Sequence, residues 1–331
     1  MKRFLLLSTG GTIASAPSAN GLAPKYSGED MIALVPKLRD LCQIDCKAIL
    51  NLDSSNIQPE EWKLIARETF EGLKEYDGVV ITHGTDSMAY TSSILSFMLR
   101  NISKPVILTG SQLPIMAPNT DGKRNLYHAF LTANSGIPGV YIVFNRKIIR
   151  GSRAVKVQSL HFNAFESINS PNIGKIVKDN VLLSYKPSPP QGSAPALDDR
   201  IDPRVFLLKL VPGTPPEILD SIIKLGFSGV VIESLGAGGL PYLRRDLVSK
   251  IRELIAAGIA VVVITQCLYE GSDLTIYEVG QKVAQARAIS GYNMTTEAAV
   301  TKLMWALGHT HDLSEVKKIM LTDYCGEINI E

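Results

Sequence analysis

Four short segments of this chain set hydroxyl, carboxylate, glycine or lysine beside the end of an apolar run. In Ser8-Thr9-Gly10-Gly11-Thr12-Ile13, two glycines permit a tight turn and a close approach of backbone to ligand. The Thr12 hydroxyl then stands where it could reach a substrate, although a glycine turn with capping threonines has the same residues. The pattern is neither GxGxxG nor a P-loop, so it supports no phosphate site. In Thr82-His83-Gly84-Thr85-Asp86, a carboxylate can pair with an ammonium group and a hydroxyl can position a reacting group. Either residue could equally cap the next helix. The turn Thr109-Gly110-Ser111-Gln112-Leu113-Pro114 could aim backbone N–H groups at a developing oxyanion, or be a plain strand-to-helix turn. Lys156 closes Arg150-Gly151-Ser152-Arg153-Ala154-Val155-Lys156. Lysines mostly lie at the surface, but one drawn into a crowded polar site can lose its proton and act as a base. The residues alone leave these choices open.

The elements that would position these groups can be read from hydrophobic runs. Strands are expected at Phe4–Leu7, Val79–Thr82, Val106–Thr109, Val140–Phe144, Val205–Leu210, Val230–Glu233 and Ile259–Thr265. They are nearly unbroken rather than alternating, as in strands covered on both faces. Helices are expected at Pro59–Tyr76, Asp86–Arg100, Asp121–Ala133, Pro216–Leu225, Leu243–Ala257, Thr295–Leu307 and Leu313–Met320. The first opens Pro-Glu-Glu, a favourable first turn. This rhythm predicts a doubly wound, mainly parallel α/β sheet, whose ligands sit outside the carboxyl ends of the strands. The stretch KPSPPQGSAPALDDRIDP at Lys186–Pro203 reads as a linker. The expected organisation is a larger N-terminal α/β domain at 1–190, a linker at 191–203 and a smaller C-terminal α/β domain at 204–331.

Composition narrows the function classes. The 331 residues are 45% hydrophobic and 20% charged, enough for sizeable cores, and the net charge is +2. So small a charge predicts neither nucleic-acid nor membrane-surface binding. Lys2-Arg3 precede an apolar run, but Phe4–Leu7 falls short of the about 7–15 residues of a signal segment. No run approaches the roughly 20 residues of a membrane helix. The cysteines, Cys42, Cys46, Cys267 and Cys325, lack zinc-site spacing and read as reduced thiols. His83, His128, His161, His309 and His311 form no metal constellation, and His83 reads as structural. No metal or cofactor is expected.

TGGTI at Thr9–Ile13, HGTDSMAYT at His83–Thr91, KPVILTGSQLP at Lys104–Pro114, RAVKVQSLHFNAFE at Arg153–Glu166 and KLMWALG at Lys302–Gly308 together resemble the L-asparaginase family over nearly the whole chain. DSSN at Asp53–Asn56 resembles its cytoplasmic type I branch. The resemblance implies two α/β domains and hydrolysis of the side-chain amide of L-asparagine through a covalent acyl-enzyme. It implies Thr12 as nucleophile, Tyr26 as the residue that polarises it, and Thr85, Asp86 and Lys156 as a second polar triad with lysine as base. It implies that Ser54 and Ser55 hold the substrate α-carboxylate, that Asp86 pairs with its ammonium, and that N–H groups near Thr12, Thr85 and Ser111 form the oxyanion hole.

Elementary chemistry agrees with that assignment. A threonine hydroxyl is a weak nucleophile that needs a proton acceptor. Lys156 must shed its proton, or pass it along a relay, before serving as a base. Gly21 and Gly28 around Tyr26 suit a lid. The resemblance further implies a cytoplasmic homodimer or tetramer. Where relatives often carry an asparagine reaching a neighbouring subunit's site, this chain has Gly239 within Glu233-Ser234-Leu235-Gly236-Ala237-Gly238-Gly239-Leu240-Pro241. Two neighbouring readings compete. One is a glutaminase-asparaginase of mixed specificity, because a methylene is worth only roughly 1–3 kcal/mol in a pocket. The other is the amidase subunit of a tRNA-dependent amidotransferase, whose extra N-terminal domain has no counterpart before a first strand beginning at Phe4. A non-catalytic amino-acid binder would need none of Thr12, Tyr26, Thr85 and Lys156.

Overall fold

The computed structural model describes residues 1–18, 21–188 and 192–330, which fall into two compact units, Met1–Asp199 and Arg200–Glu331. Residues 189–191 of the proline-rich stretch, including the first residue of the expected linker, lie outside the described residues. Later in that stretch, Ala196–Leu197 pairs antiparallel with Leu99–Arg100.

The first unit is built on eight strands: β1 (Arg3–Gly10), β2 (Gln43–Leu52), β3 (Gly78–Thr82), β4 (Pro105–Thr109), β5 (Gly139–Phe144), β6 (Lys147–Arg150), β7 (Gly174–Val177) and β8 (Asn180–Leu183). Among the described residues they form one sheet in the order β8-β7-β6-β5-β4-β3-β1-β2. The five strands β2-β1-β3-β4-β5 are parallel, and β6, β7 and β8 add an antiparallel edge. The apolar runs in β1, β3 and β4 are buried because both faces are covered. Three helices matter most here: α1 (Pro59–Glu75), α2 (Met88–Met98) and α3 (Gly122–Asn134). On one face Phe4, Leu6, Val80 and Ile107 pack with Leu126, Ala129 and Phe130 of α3. On the other, any side chain at Gly72 of α1 would run into Leu5 and Val79, so α1 lies directly on the sheet. Its start is fixed by Pro59 and a capping box between Gln58 and Glu61, and its last turn by Lys104, whose Nζ donates to Leu73 O and Tyr76 O.

The second unit repeats the plan on a smaller scale. Four parallel strands, β9 (Val205–Lys209), β10 (Gly229–Ser234), β11 (Ala260–Thr265) and β12 (Ile289–Ser290), lie side by side in that order. Helices α4 (Ile218–Lys224), α5 (Leu247–Ala256) and α6 (Glu278–Gln285) follow the first three strands, then α7 (Thr296–Leu307) and α8 (Leu313–Leu321). Val230, Ile232, Val261 and Val263 pack with Leu247, Ile251 and Leu254 of α5. On the opposite face, Gly229 sits against Leu303 and Leu307 of α7. A buried ion pair closes this unit. Lys302 Nζ lies 2.5 Å from Glu327 Oε1, with both side chains wholly out of solvent. The lysine also donates to Met320 O and Thr322 O, and Glu327 accepts from the N–H groups of Tyr324 and Cys325. Those bonds satisfy the charges where water is absent.

Several elements differ from the sequence reading. Gln43–Leu52, Lys147–Arg150, Gly174–Val177 and Asn180–Leu183 are strands that it did not anticipate. Residues 243–246, expected to begin a helix, precede α5, which starts at Leu247 behind an Asp246 cap. Helix α6 was likewise unexpected.

Candidate active site

Four parallel strands deliver their carboxyl ends to the same edge of the first sheet, and the candidate residues follow them. Chain order reverses between β1 and β3: β2 lies on one side of β1 and β3 on the other. A crevice at such a switch point is the usual ligand position in open α/β sheets. Thr12 follows β1, Ser54 and Ser55 follow β2, Thr85 and Asp86 follow β3, and Ser111 follows β4.

The glycines make this convergence close. Gly11 adopts φ 77 and ψ 178, a region essentially restricted to glycine. Its N–H donates to Leu52 O, and a Cβ on it would meet the backbone of Gly84 at 2.4 Å. A Cβ on Gly84 would in turn meet Ser54 Oγ at 2.5 Å, and one on Gly110 would meet His83 O at 2.3 Å. The ends of β1, β2, β3 and β4 are thus stacked backbone on backbone, which brings Thr12 beside the loop that carries Thr85.

Around Thr85 the polar contacts are explicit. Lys156 Nζ donates to Thr85 Oγ1 at 2.8 Å and to Asp86 Oδ1 at 2.5 Å. Lys156 reaches them from Ala154–Lys156, a strand paired antiparallel with Phe165–Ser167. Its side chain is 16% exposed, whereas that of Asp86 is 59% exposed. One carboxylate oxygen of Asp86 is engaged by the lysine, and among the described residues no hydrogen bond or ion pair engages the other. Ser54 is buried, and its Oγ accepts from the N–H of Asp86 at 3.2 Å. Ser87 Oγ donates to Ser54 O at 2.6 Å. Ser55 is exposed beside it, with its N–H held by Asp53 Oδ1.

Thr12, Tyr26 and Ser111 are placed differently. Thr12 is half-buried, and among the described residues no side-chain hydrogen bond fixes its hydroxyl. Tyr26 follows the hairpin formed by Ser15–Ser18 and Gly21–Pro24. Its N–H donates to Ala14 O, two residues beyond Thr12, and its ring packs against the core of the first unit. Ser111 is buried, and its hydroxyl donates to Leu113 O, which fixes its own turn.

Residues outside the sequence-derived set complete the site. The Asp121 carboxylate, buried at the start of α3, accepts from the N–H groups of Gln112 and Leu113 and from Asn125 Nδ2. Asn125 Nδ2 also donates to Gly110 O. Gln112 Oε1 accepts from the Thr85 hydroxyl at 3.2 Å. Nothing in the sequence marked Gln112 beyond its place in a glycine turn. His83 is fully buried, and burial depresses its pKa to about 4. As a neutral ring it donates from Nδ1 to Gly84 O and accepts at Nε2 from Thr91, which accepts from Trp62 Nε1. It therefore holds the Gly84 turn from below. Among the described residues, no group of three or more His, Cys, Asp and Glu could hold a metal.

Comparison with known proteins follows the same outline. The family model described as "Asparaginase, N-terminal" matches residues 3–189, and that described as "Glutaminase/Asparaginase C-terminal domain" matches residues 204–320. The chain is 49% identical to an L-asparaginase of Thermococcus kodakarensis over 98% of its own length and 99% of that protein's. A solved structure of the thermostable L-asparaginase from that organism superposes with a TM-score of 0.94, covering 99% of each chain. A glutamyl-tRNA(Gln) amidotransferase subunit of Pyrococcus furiosus is 37% identical over 98% of this chain and 76% of its own. A probable cytoplasmic L-asparaginase from Campylobacter jejuni is 28% identical with a TM-score of 0.83, over 98% of this chain and all of that one.

Proposed function

The chain belongs to the asparaginase family, and from that membership we propose that it is an L-asparaginase, hydrolysing L-asparagine to L-aspartate and ammonia with Thr12 as nucleophile. The observation that carries this reading is the contact of Lys156 with both Thr85 and Asp86, beside the glycine pair that presents Thr12. In the proposed sequence Thr12 Oγ1 attacks the side-chain amide carbon and loses its proton toward Tyr26. The carbonyl oxygen takes up negative charge, which N–H groups near Thr12, Thr85 and Ser111 stabilise by about 3–4 kcal/mol each. Collapse breaks the C–N bond, and ammonia leaves with the transferred proton. Water then attacks the resulting ester with help from Thr85 and Lys156, freeing aspartate and Thr12. Asp86 pairs with the substrate ammonium, and Ser54 and Ser55 bind its α-carboxylate.

The asparaginase of T. kodakarensis matches at 49% identity, against 37% for the P. furiosus amidotransferase subunit. That difference favours a free small-molecule substrate. We place the protein in the cytoplasm, in line with the likeness to the C. jejuni enzyme; among the described residues no helix is long and apolar enough to cross a membrane. We propose a homodimer or a tetramer of dimers, and light scattering should give at least twice the 36.0 kDa chain mass. Ammonia release from asparagine and from glutamine tests the function. Release from asparagine well above that from glutamine is expected. Comparable rates would make it a mixed glutaminase-asparaginase, and no release from either would refute both.

A further inference from the structure

We propose that Gln112 is a positioning residue that fixes the direction of the Thr85 hydroxyl proton and so keeps a lone pair of that oxygen turned to Lys156. This rests on the reading of Thr85 and Lys156 as a working pair. Gln112 Nε2 donates to Ser159 O at 3.0 Å and to His161 O at 3.2 Å. Backbone carbonyls only accept, so the amide must present its NH2 to them and its oxygen to Thr85. A flipped amide would set its oxygen against two carbonyl oxygens, three acceptors with no proton among them. The backbone of Gln112 is held as well, by both oxygens of the buried Asp121 carboxylate at 3.1 and 3.0 Å. With main chain and side chain both fixed, Oε1 has one direction to point, and the Thr85 hydroxyl lies along it at 3.2 Å.

The result is an ordered chain of donors, from Lys156 Nζ to Thr85 Oγ1 and from Thr85 Oγ1 to Gln112 Oε1. Thr85 has one proton and spends it on Gln112, so it meets the lysine as an acceptor. Without Gln112 the hydroxyl could rotate, and the pair would divide its time among arrangements. Gln112 also ties the turn after β4 to residues 159–161, just beyond Lys156 in the chain. One side chain therefore joins Thr85 to the segment that follows Lys156.

The test is steady-state asparagine hydrolysis by wild type, Gln112→Met and Gln112→Glu, with folding checked by circular dichroism. Methionine matches glutamine in length but accepts no such hydrogen bond. It should lower kcat by about tenfold or more with KM within about threefold, since the lost order acts on the reaction and not on substrate affinity. Glutamate keeps an oxygen for Thr85 but loses both N–H donors, and its kcat should fall between the two. Wild-type kcat in Gln112→Met, a defect confined to KM, or a methionine variant faster than the glutamate one would overturn the proposal. Should methionine prevent folding, the glutamate variant decides: a several-fold lower kcat at unchanged KM supports the role, and wild-type kcat refutes it. An active wild type with indifferent variants counts against Gln112 alone. A wild type that releases no ammonia overturns the asparaginase reading and this proposal with it.

Discussion

The proposed chemistry puts different demands on Thr12 and Lys156, and substitution separates them. Thr12→Ala removes the hydroxyl from a half-buried position without burying any new polar group. The protein should fold normally and still bind aspartate, while turnover falls by several powers of ten. More than about a hundredth of wild-type activity would remove Thr12 as nucleophile. Lys156→Met leaves the methylene stem and deletes the amine that donates to both Thr85 and Asp86. Its kcat should drop far more than its KM rises, because a base acts on the transition state. A normally folded variant with only a KM defect would make Lys156 a binding group. At this scale the sequence showed residue types but not their partners. Thr85, Asp86 and Lys156 were legible as candidates because their chemistry is unusual at strand ends. Gln112 and Asp121 were not, because their importance lies in hydrogen bonds across 27 and 9 positions of chain, and a glutamine in a turn or an aspartate before a helix looks ordinary.

The elements explain why such distant residues meet. β1, β3 and β4 were legible as unbroken apolar runs because α1 and α3 cover both faces of the sheet. β2 was not, since its residues QIDCKAILNL alternate between partly covered and exposed along an edge. The antiparallel strands β7 and β8 alternate in the same way, and their polar positions imitate loops. Missing β2 hid the switch point, which requires a strand on each side of β1. The glycine stack makes a sharp prediction at this level. Gly11→Ala must place a Cβ 2.4 Å from Gly84 N while holding a backbone conformation that side chains avoid. It should cost about 1–3 kcal/mol from the backbone alone. Separation of the β1 and β3 ends should lower activity even where the protein remains folded. Thermal unfolding and asparagine hydrolysis measure the two effects, and wild-type values in both would show that the stack yields without consequence.

Over the whole molecule, buried titratable groups set how stability follows pH. Burial depresses His83 and His128 to about 4 from an ordinary 6.5, with Arg124 and Arg146 adding to the effect on His128. Their unfolded forms take up protons that the folded forms refuse, so their contribution is complete above about 6.5 and is lost as pH falls toward 4. Glu297 works in the opposite sense. Burial raises it to about 7, so its contribution is present below its unfolded value and is lost as pH rises toward 7. Two imidazoles against one carboxyl leave a net uptake of about one proton on unfolding between pH 5 and 6. The urea midpoint should therefore fall as pH is lowered through that window. A midpoint that rises on acidification there would contradict the buried neutral imidazoles.

The Lys302–Glu327 pair sets the order in which the second unit can be completed during synthesis. Lys302 belongs to α7, which covers one face of the β9–β12 sheet, yet its counter-charge lies beyond the whole of α8. A ribosome that has released α7 but not yet Glu327 holds a helix whose ammonium has no buried partner, and desolvating it alone is costly. The face formed by Gly229, Leu303 and Leu307 then closes tightly only once Glu327 emerges. The final docking of this unit is thereby deferred until Glu327 has left the ribosome, and a nascent chain stalled between α7 and Glu327 would offer chaperones and proteases an apolar face that the folded unit hides.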